Sequence, residues 1–134
     1  MTNYRETDPE FMERFEHFAF DEVVNEAGQQ LDDLTRHMAI LATLLGCQGT
    51  DAFLLELPCA LDAGVTPVMA KEIVYQAVDY LGIGRVLPFL RITNEVLTNR
   101  GVKLPLEGQA TTTMENRLEK GAQAQADIFG PLML

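Results

Sequence analysis

From Leu34 to Leu45, the residues Leu34, Met38, Leu41, Ala42 and Leu45 recur at helical spacing. Ile40 and Leu44 fill the gaps, so the segment is apolar on most of its sides. A helix of that kind is stable only when other elements wrap it, which predicts a central, buried helix in an all-α core. The apolar run, Met38 to Cys47, is half the length of about 20 residues that a bilayer crossing needs. No membrane partner is expected.

The flanking segments are marked by caps and breakers. Asp8-Pro9 reads as N-cap and first helical position, because proline there fixes φ where no amide donor is required. Phe11, Phe15 and Phe18 follow at i, i+4 and i+7, in a stripe running toward Gly28. The acids of Leu31-Asp32-Asp33 suit the positive N-terminus of the central helix. Asp51 predicts the cap of a third helix ending at Gly64, and Thr66-Pro67 opens a fourth that Gly82 closes. In the fourth, Val74, Ala77, Val78 and Leu81 form the apolar face and Glu72, Gln76 and Asp79 the polar one. Val86, Phe89, Leu90, Thr93, Val96 and Leu97 carry a fifth helix, with Pro88 in its first turn. Residues 101–110 read as a loop. Thr112-x-x-Glu115 predicts the capping box of a sixth helix that Gly130-Pro131 ends. No alternating strand pattern competes. The expected organisation is a bundle of about six helices, with 1–110 as the main domain and 111–134 as a C-terminal helix.

At 134 residues the chain fits one ordinary domain, and 47% hydrophobic residues can build a core without disulfide staples. Twenty Asp+Glu against ten Lys+Arg leave a formal charge of −10, which repels phosphate backbones and anionic membranes. Nucleic acid is therefore not an expected partner. Two cysteines suit a reducing compartment, and the first residues lack the basic-then-apolar pattern of a leader. The expectation is a soluble cytoplasmic protein.

Four pieces of the middle of the chain belong together in order and spacing. They are the Arg-led apolar helix (Arg36 to Leu45), the ALDAGVT turn (Ala60 to Thr66), the KEIVYQAVDYLGIGR stretch (Lys71 to Arg85) and the NEVL helix end. With them the chain resembles, over residues 10–100, the core of the carboxymuconolactone decarboxylase family, which includes the alkylhydroperoxidase AhpD-like proteins. The resemblance implies a small all-helical protomer that assembles into trimers or hexamers, with active sites near protomer contacts. The C-terminal RLEKGAQAQADIFG is similar to the opening helix of many members. That implies either one module of a tandem arrangement or a plain terminal helix packed on its own core or a neighbour.

Peroxidase members use a CxxC pair, with a Glu and a His relaying protons to the thiols. The resemblance puts the two thiol positions at Gly49 and Ala52, and neither is cysteine. Cys47 and Cys59, twelve apart, cannot form a local redox pair. They read as small buried hydrophobes, or as thiols that meet only in space. Decarboxylase members place a His eight residues before the turn glycine; here that position is Glu56. The family's acidic residue after the helix-opening Arg corresponds to His37. The two roles are thus exchanged, and a His–carboxylate contact shares a proton in either order.

The expected catalytic residues are therefore His37, Glu56 and Cys59, with His37 and Glu56 facing each other from helices two and three. The competing reading has a solvent-facing Glu56 and a histidine satisfied elsewhere. Pro58 predicts a kink, or a later helix start, and either turns Glu56 and Cys59 toward a local irregularity. Arg36 and Arg85 are candidate clamps for a substrate carboxylate, or partners of Asp32, Asp79 or Glu72. Tyr75 and Tyr80 line a pocket or pack at an oligomer contact. The scattered His and Cys have no metal-ligand spacing and no Gly loop cradles phosphate, so neither metal nor other cofactor is expected.

Three functions compete. The first is a lyase acting on a small organic acid or lactone by proton transfer. Next comes a non-catalytic helical assembly module, and last an AhpD-like peroxidase of antioxidant type, which the missing CxxC disfavours. Assembly itself is expected from apolar surface. Phe11, Phe15, Phe18 and Phe20 crowd one helix, and Leu118, Ile128, Phe129, Leu132, Met133 and Leu134 add more at the other end. Patches larger than a few hundred Å² seldom face water, so a closed homotrimer or a dimer of trimers is expected.

Overall fold

The computed structural model describes residues 4–130, and the chain divides into two compact units, Met1–Val102 and Lys103–Leu134. The break falls at the start of the 101–110 loop. In the first unit the helices are α1 (Tyr4–Thr7), α2 (Pro9–His17), α3 (Asp33–Gly46), α4 (Thr50–Asp62), α5 (Pro67–Gln76), α6 (Val78–Leu81) and α7 (Ile83–Asn99). A π-helical turn, Phe18–Glu22, follows α2. The second unit contributes α8 (Arg117–Phe129). No strand occurs among the described residues, and the fold is all-α.

Burial explains the arrangement of the first unit. Leu41 and Leu45 of α3, Phe53 and Leu57 of α4, Val74 of α5 and Phe89 of α7 are all fully buried. At the centre the rings of Phe53 and Phe89 meet edge to face, with centroids 5.1 Å apart and planes at 86°. That geometry sets the positive edge of one ring on the negative face of the other. Helix α3 packs on α4 and α5, while α7 packs on α4, α5 and α6. The wrapping of α3 is less complete than its composition suggests. Ala39, Ala42 and Thr43 remain exposed in the protomer, because α4 and α5 cover one side of it.

Local chemistry fixes the helix ends. The Thr66 hydroxyl accepts the Met69 N–H at 3.2 Å, as the predicted cap requires, and of the acids expected at the start of α3, Asp32 caps it, its side chain accepting the Thr35 N–H at 2.7 Å. Gly64 and Gly82, at φ 102° and 80°, close α4 and α6 in the left-handed region that side chains disfavour. Helix α4 starts two residues earlier than expected. Gly49 holds its N-cap position, and Asp51 lies in the first turn, where its charge still faces the positive helix end.

Other departures have physical causes. Helix α4 runs through Pro58 rather than starting there, and α7 begins at Ile83, which leaves Pro88 inside the helix. The carbonyls these prolines leave without a donor belong to Leu54 and Gly84, both exposed residues that water can serve. The helix expected from Pro9 toward Gly28 ends at His17 and widens into the π turn. The Val23 N–H reaches back to the Phe18 carbonyl at 3.0 Å. That extra residue per turn brings Phe20 edge-on to Phe15, at 6.2 Å and 84°.

In the second unit, α8 starts at Arg117 rather than at Thr112. The Asn116 side chain accepts the Thr113 N–H at 2.8 Å, and the Thr113 hydroxyl beside Glu115 holds that carboxyl below its ordinary range. The Thr/Glu pair thus closes a turn ahead of the helix instead of boxing its first amides. Gly130, at φ 98°, caps the other end. Pro131 and the apolar residues Leu132 to Leu134 lie outside the described residues.

This packing predicts unequal costs for two truncations. Phe53→Ala should lower stability by about 3–5 kcal/mol, and loss of the Thr66 cap in Thr66→Ala by about 1 kcal/mol. Denaturant unfolding of the two variants measures the difference.

Candidate functional site

The joint Cys47–Gly49 returns α4 along α3 and decides which of their side chains meet. Gly49 sits close under its neighbours at this bend: a Cβ there would lie 3.2 Å from Leu44 Cδ2 and 3.4 Å from Cys47 Sγ. The same crowding describes the position where the family resemblance implies a thiol. Gln48 takes φ 60°, and its side-chain amide donates to the Leu45 carbonyl at 2.8 Å.

Along this paired surface, His37 of α3 meets Glu56 of α4, 19 residues away in sequence, with Nδ1 2.5 Å from Oε1. Their side chains are 24% and 15% exposed, so the pair stands at the edge of the core with a path to solvent. One turn beyond His37 is Leu41, and Phe53 and Leu57 flank Glu56; all three are fully buried. Apolar neighbours strengthen a charge-assisted bond by excluding water from it. When Nδ1–H donates to the carboxylate, Nε2 is left for a further proton exchange. This is the orientation that a histidine acting as acid or base requires.

The other expected site residues are placed differently. Cys59 lies one turn beyond Glu56 and is exposed, with Sγ 3.6 Å from the Leu55 carbonyl. Cys47 is also exposed, its Sγ 3.6 Å from the Leu44 carbonyl. The expectation that both are buried is therefore corrected: Cys47 stands exposed in the joint after α3, and Cys59 on a side of α4 that no neighbour in its unit covers. Arg36 is engaged at the base of α3. It donates to Asp33 Oδ1 at 2.5 Å, the Leu31 carbonyl at 2.9 Å and Gln29 Oε1 at 3.4 Å.

Arg85 is exposed in the first turn of α7, and its guanidinium has no hydrogen-bond or ion-pair partner among the described residues. Tyr75 is half exposed, with the Lys71 ammonium 5.5 Å from its ring centroid. Lys71 is buried, which the sequence reading missed; the i,i+4 spacing of Lys71 and Tyr75 was the available signal. Tyr80 borders a recess of about 290 Å³ between α3, α5 and α6, and neither His37 nor Glu56 lines it. Among the described residues, no group of three or more His, Cys, Asp or Glu is placed to hold a metal ion. None of their helices is long and apolar enough to cross a membrane.

Fold and site together describe an all-helical domain with a His–carboxylate contact between two adjacent helices. The family model of the carboxymuconolactone decarboxylase family matches residues 9–95, and the chain belongs to that family. No curated protein and no solved structure matches the chain.

The entrance to α3 makes a pH prediction. The Thr35 backbone N–H, then the Thr35 hydroxyl, hold the Asp32 carboxyl below its ordinary value, and the Arg36 charge adds to this. A carboxyl lowered in the folded state contributes stability above its unfolded value and loses it as pH falls through the folded one. Asp32→Asn keeps a capping acceptor but cannot titrate. The stability gap between wild type and Asp32→Asn should be full at neutral pH and close in acid, which denaturant unfolding across pH measures.

Proposed function

We propose that this protein is a lyase of the carboxymuconolactone decarboxylase type, acting on a small organic acid or lactone, with His37 and Glu56 moving the proton. The observation that carries this reading is the 2.5 Å contact between Nδ1 and Oε1, at two positions where the family resemblance implies a Glu and a His. Loss of carbon dioxide from an unsaturated lactone acid leaves an electron pair delocalised into the lactone carbonyl. The carbon must then take a proton. In this reading Nε2–H of the imidazolium delivers it, while Glu56 on Nδ1 fixes the ring and balances its charge. In this reading Arg85, exposed and without a carboxylate partner among the described residues, meets the substrate carboxylate.

Purified protein assayed against a panel of lactones and dicarboxylates tests the reading. His37→Gln and Glu56→Gln should each slow turnover by about 10²–10⁴-fold. The double variant should lose little more, because the two groups act as one unit. An unchanged rate and pH profile in either single variant overturns the assignment. The exposed Cys59, one turn from Glu56, favours one second reading, a thiol peroxidase. Peroxide-dependent loss of a titratable thiol, abolished in Cys59→Ser, would select it.

The same reading includes self-assembly into a homotrimer or a dimer of trimers. Phe11, Phe15, Phe18 and Phe20 are each about half exposed or more in the protomer, a cluster that a second copy would cover. Sedimentation at micromolar concentration should show a multimer, and a clean 14.9 kDa monomer defeats this part.

A further inference from the structure

We propose that the recess between α3, α5 and α6 is a binding site for a small uncharged ring compound carrying one hydrogen-bonding group, of the size of phenol or indole. It is separate from the His37–Glu56 pair. Ala42 and Gly46, which line it, lie about 140° and 180° around α3 from His37, at 100° per residue. The inference therefore goes beyond the proposed lyase chemistry and does not depend on it.

Three observations point to this ligand class. The first is space. The recess holds about 290 Å³, whereas a cavity of about 150 Å³ suffices for benzene. Small residues create the room: Ala42 and Gly46 on α3 and Ala77 after α5. A Cβ built on Gly46 meets nothing within 4 Å, so the space there is open rather than filled by a neighbour's side chain.

The second observation is charge. In a chain of net charge −10, no Asp, Glu, Lys, Arg or His lines the recess. A carboxylate or ammonium entering it would shed hydration and meet no counter-charge, which disfavours ions and favours neutral rings. The third is polarity. Gln76 and Tyr80 supply the polar side chains of the lining, and neither side chain has a hydrogen-bond partner among the described residues. Together they offer donors and an acceptor to a phenolic hydroxyl or an indole N–H. Tyr80 is 88% exposed, so its ring is also available to pack on a guest.

The test is an NMR titration of the isotope-labelled full chain with phenol and indole, and with benzoate as the charged contrast. Saturable shifts are expected in the amides of 42–46 and 76–81, with benzoate about tenfold weaker or worse. Gly46→Leu should fill the recess and weaken phenol about tenfold or more. Tyr80→Phe, a change at an exposed ring that folding tolerates, should cost about 2- to 10-fold through one lost hydrogen bond. His37→Gln should leave phenol affinity unchanged, which separates failure here from failure of the lyase reading. The proposal is overturned by no saturable shift at millimolar phenol, by shifts elsewhere, or by equal affinity in Tyr80→Phe and a folded Gly46→Leu. A multimer that Tyr80→Ala dissociates, with recess amides insensitive to phenol, would put a second copy of the chain there instead and equally overturn it.

Discussion

The joint between α3 and α4 is the constraint on which the site depends. Cys47–Gly49 is short enough to hold two long helices against each other at one register. Within that register Leu41 and Leu45 enter the same core as Phe53 and Leu57, and His37 faces Glu56. Adding or removing one residue in the joint would rotate α4 by about 100° relative to α3. The apolar contacts would then point outward, and Glu56 would leave His37. Core and site are therefore specified by the same few backbone angles, including the left-handed φ of Gln48.

Of the two thiol positions that the family resemblance implies, Gly49 belongs to this joint. Gly49 caps α4 with Leu44 Cδ2 and Cys47 Sγ close above the space a side chain would take. A side chain at residue 49 would ask the Leu44 side chain to give by a few tenths of an ångström, whereas His37 and Glu56 are already in contact. Packing at the joint and polarity at the pair are thus compatible with proton transfer without a neighbouring CxxC. Pro58 fits the same account. It lies two residues past Glu56 inside a continuous helix and leaves the Leu54 carbonyl to solvent, without displacing the pair.

Helix periodicity and capping were legible because both are local. The stripe of α3, the acids at its start and the Thr66 cap needed only neighbouring residues. The start of α4 was not, since an Asp in the first turn satisfies the helix dipole nearly as well as one at the cap. Lys71 escaped for a related reason: a lysine can bury its methylene stem and lay its ammonium on a ring, so its charge does not report its exposure. Exposure of Cys47 and Cys59 depends on which helix sides lack a neighbour, a property of tertiary arrangement alone. His37 and Glu56 lie between these extremes. Their 19-residue separation has no local signature, and the family resemblance, not spacing, brought them together.

Charge bookkeeping gives the last constraint on where an anion can land. Acids outnumber cations two to one in this chain, and they have claimed most of the cations of the first unit. Arg5 meets Glu16, Arg14 meets Glu10, Arg36 meets Asp33, Arg91 meets Glu95 and Arg100 meets Asp62. Such pairs are mostly exposed and worth little in stability, yet each occupies a guanidinium that a ligand would otherwise find free. Among the described residues of the first unit, Arg85 and Lys71 have no carboxylate partner, and Lys71 is buried against Tyr75. In the first unit a small acid therefore meets one accessible arginine with no carboxylate partner among the described residues, at the start of α7. The recess beside Tyr80 has no charged side chain in its lining. The surplus of acid thus keeps the surface negative while leaving Arg85 without a carboxylate of its own in the first unit.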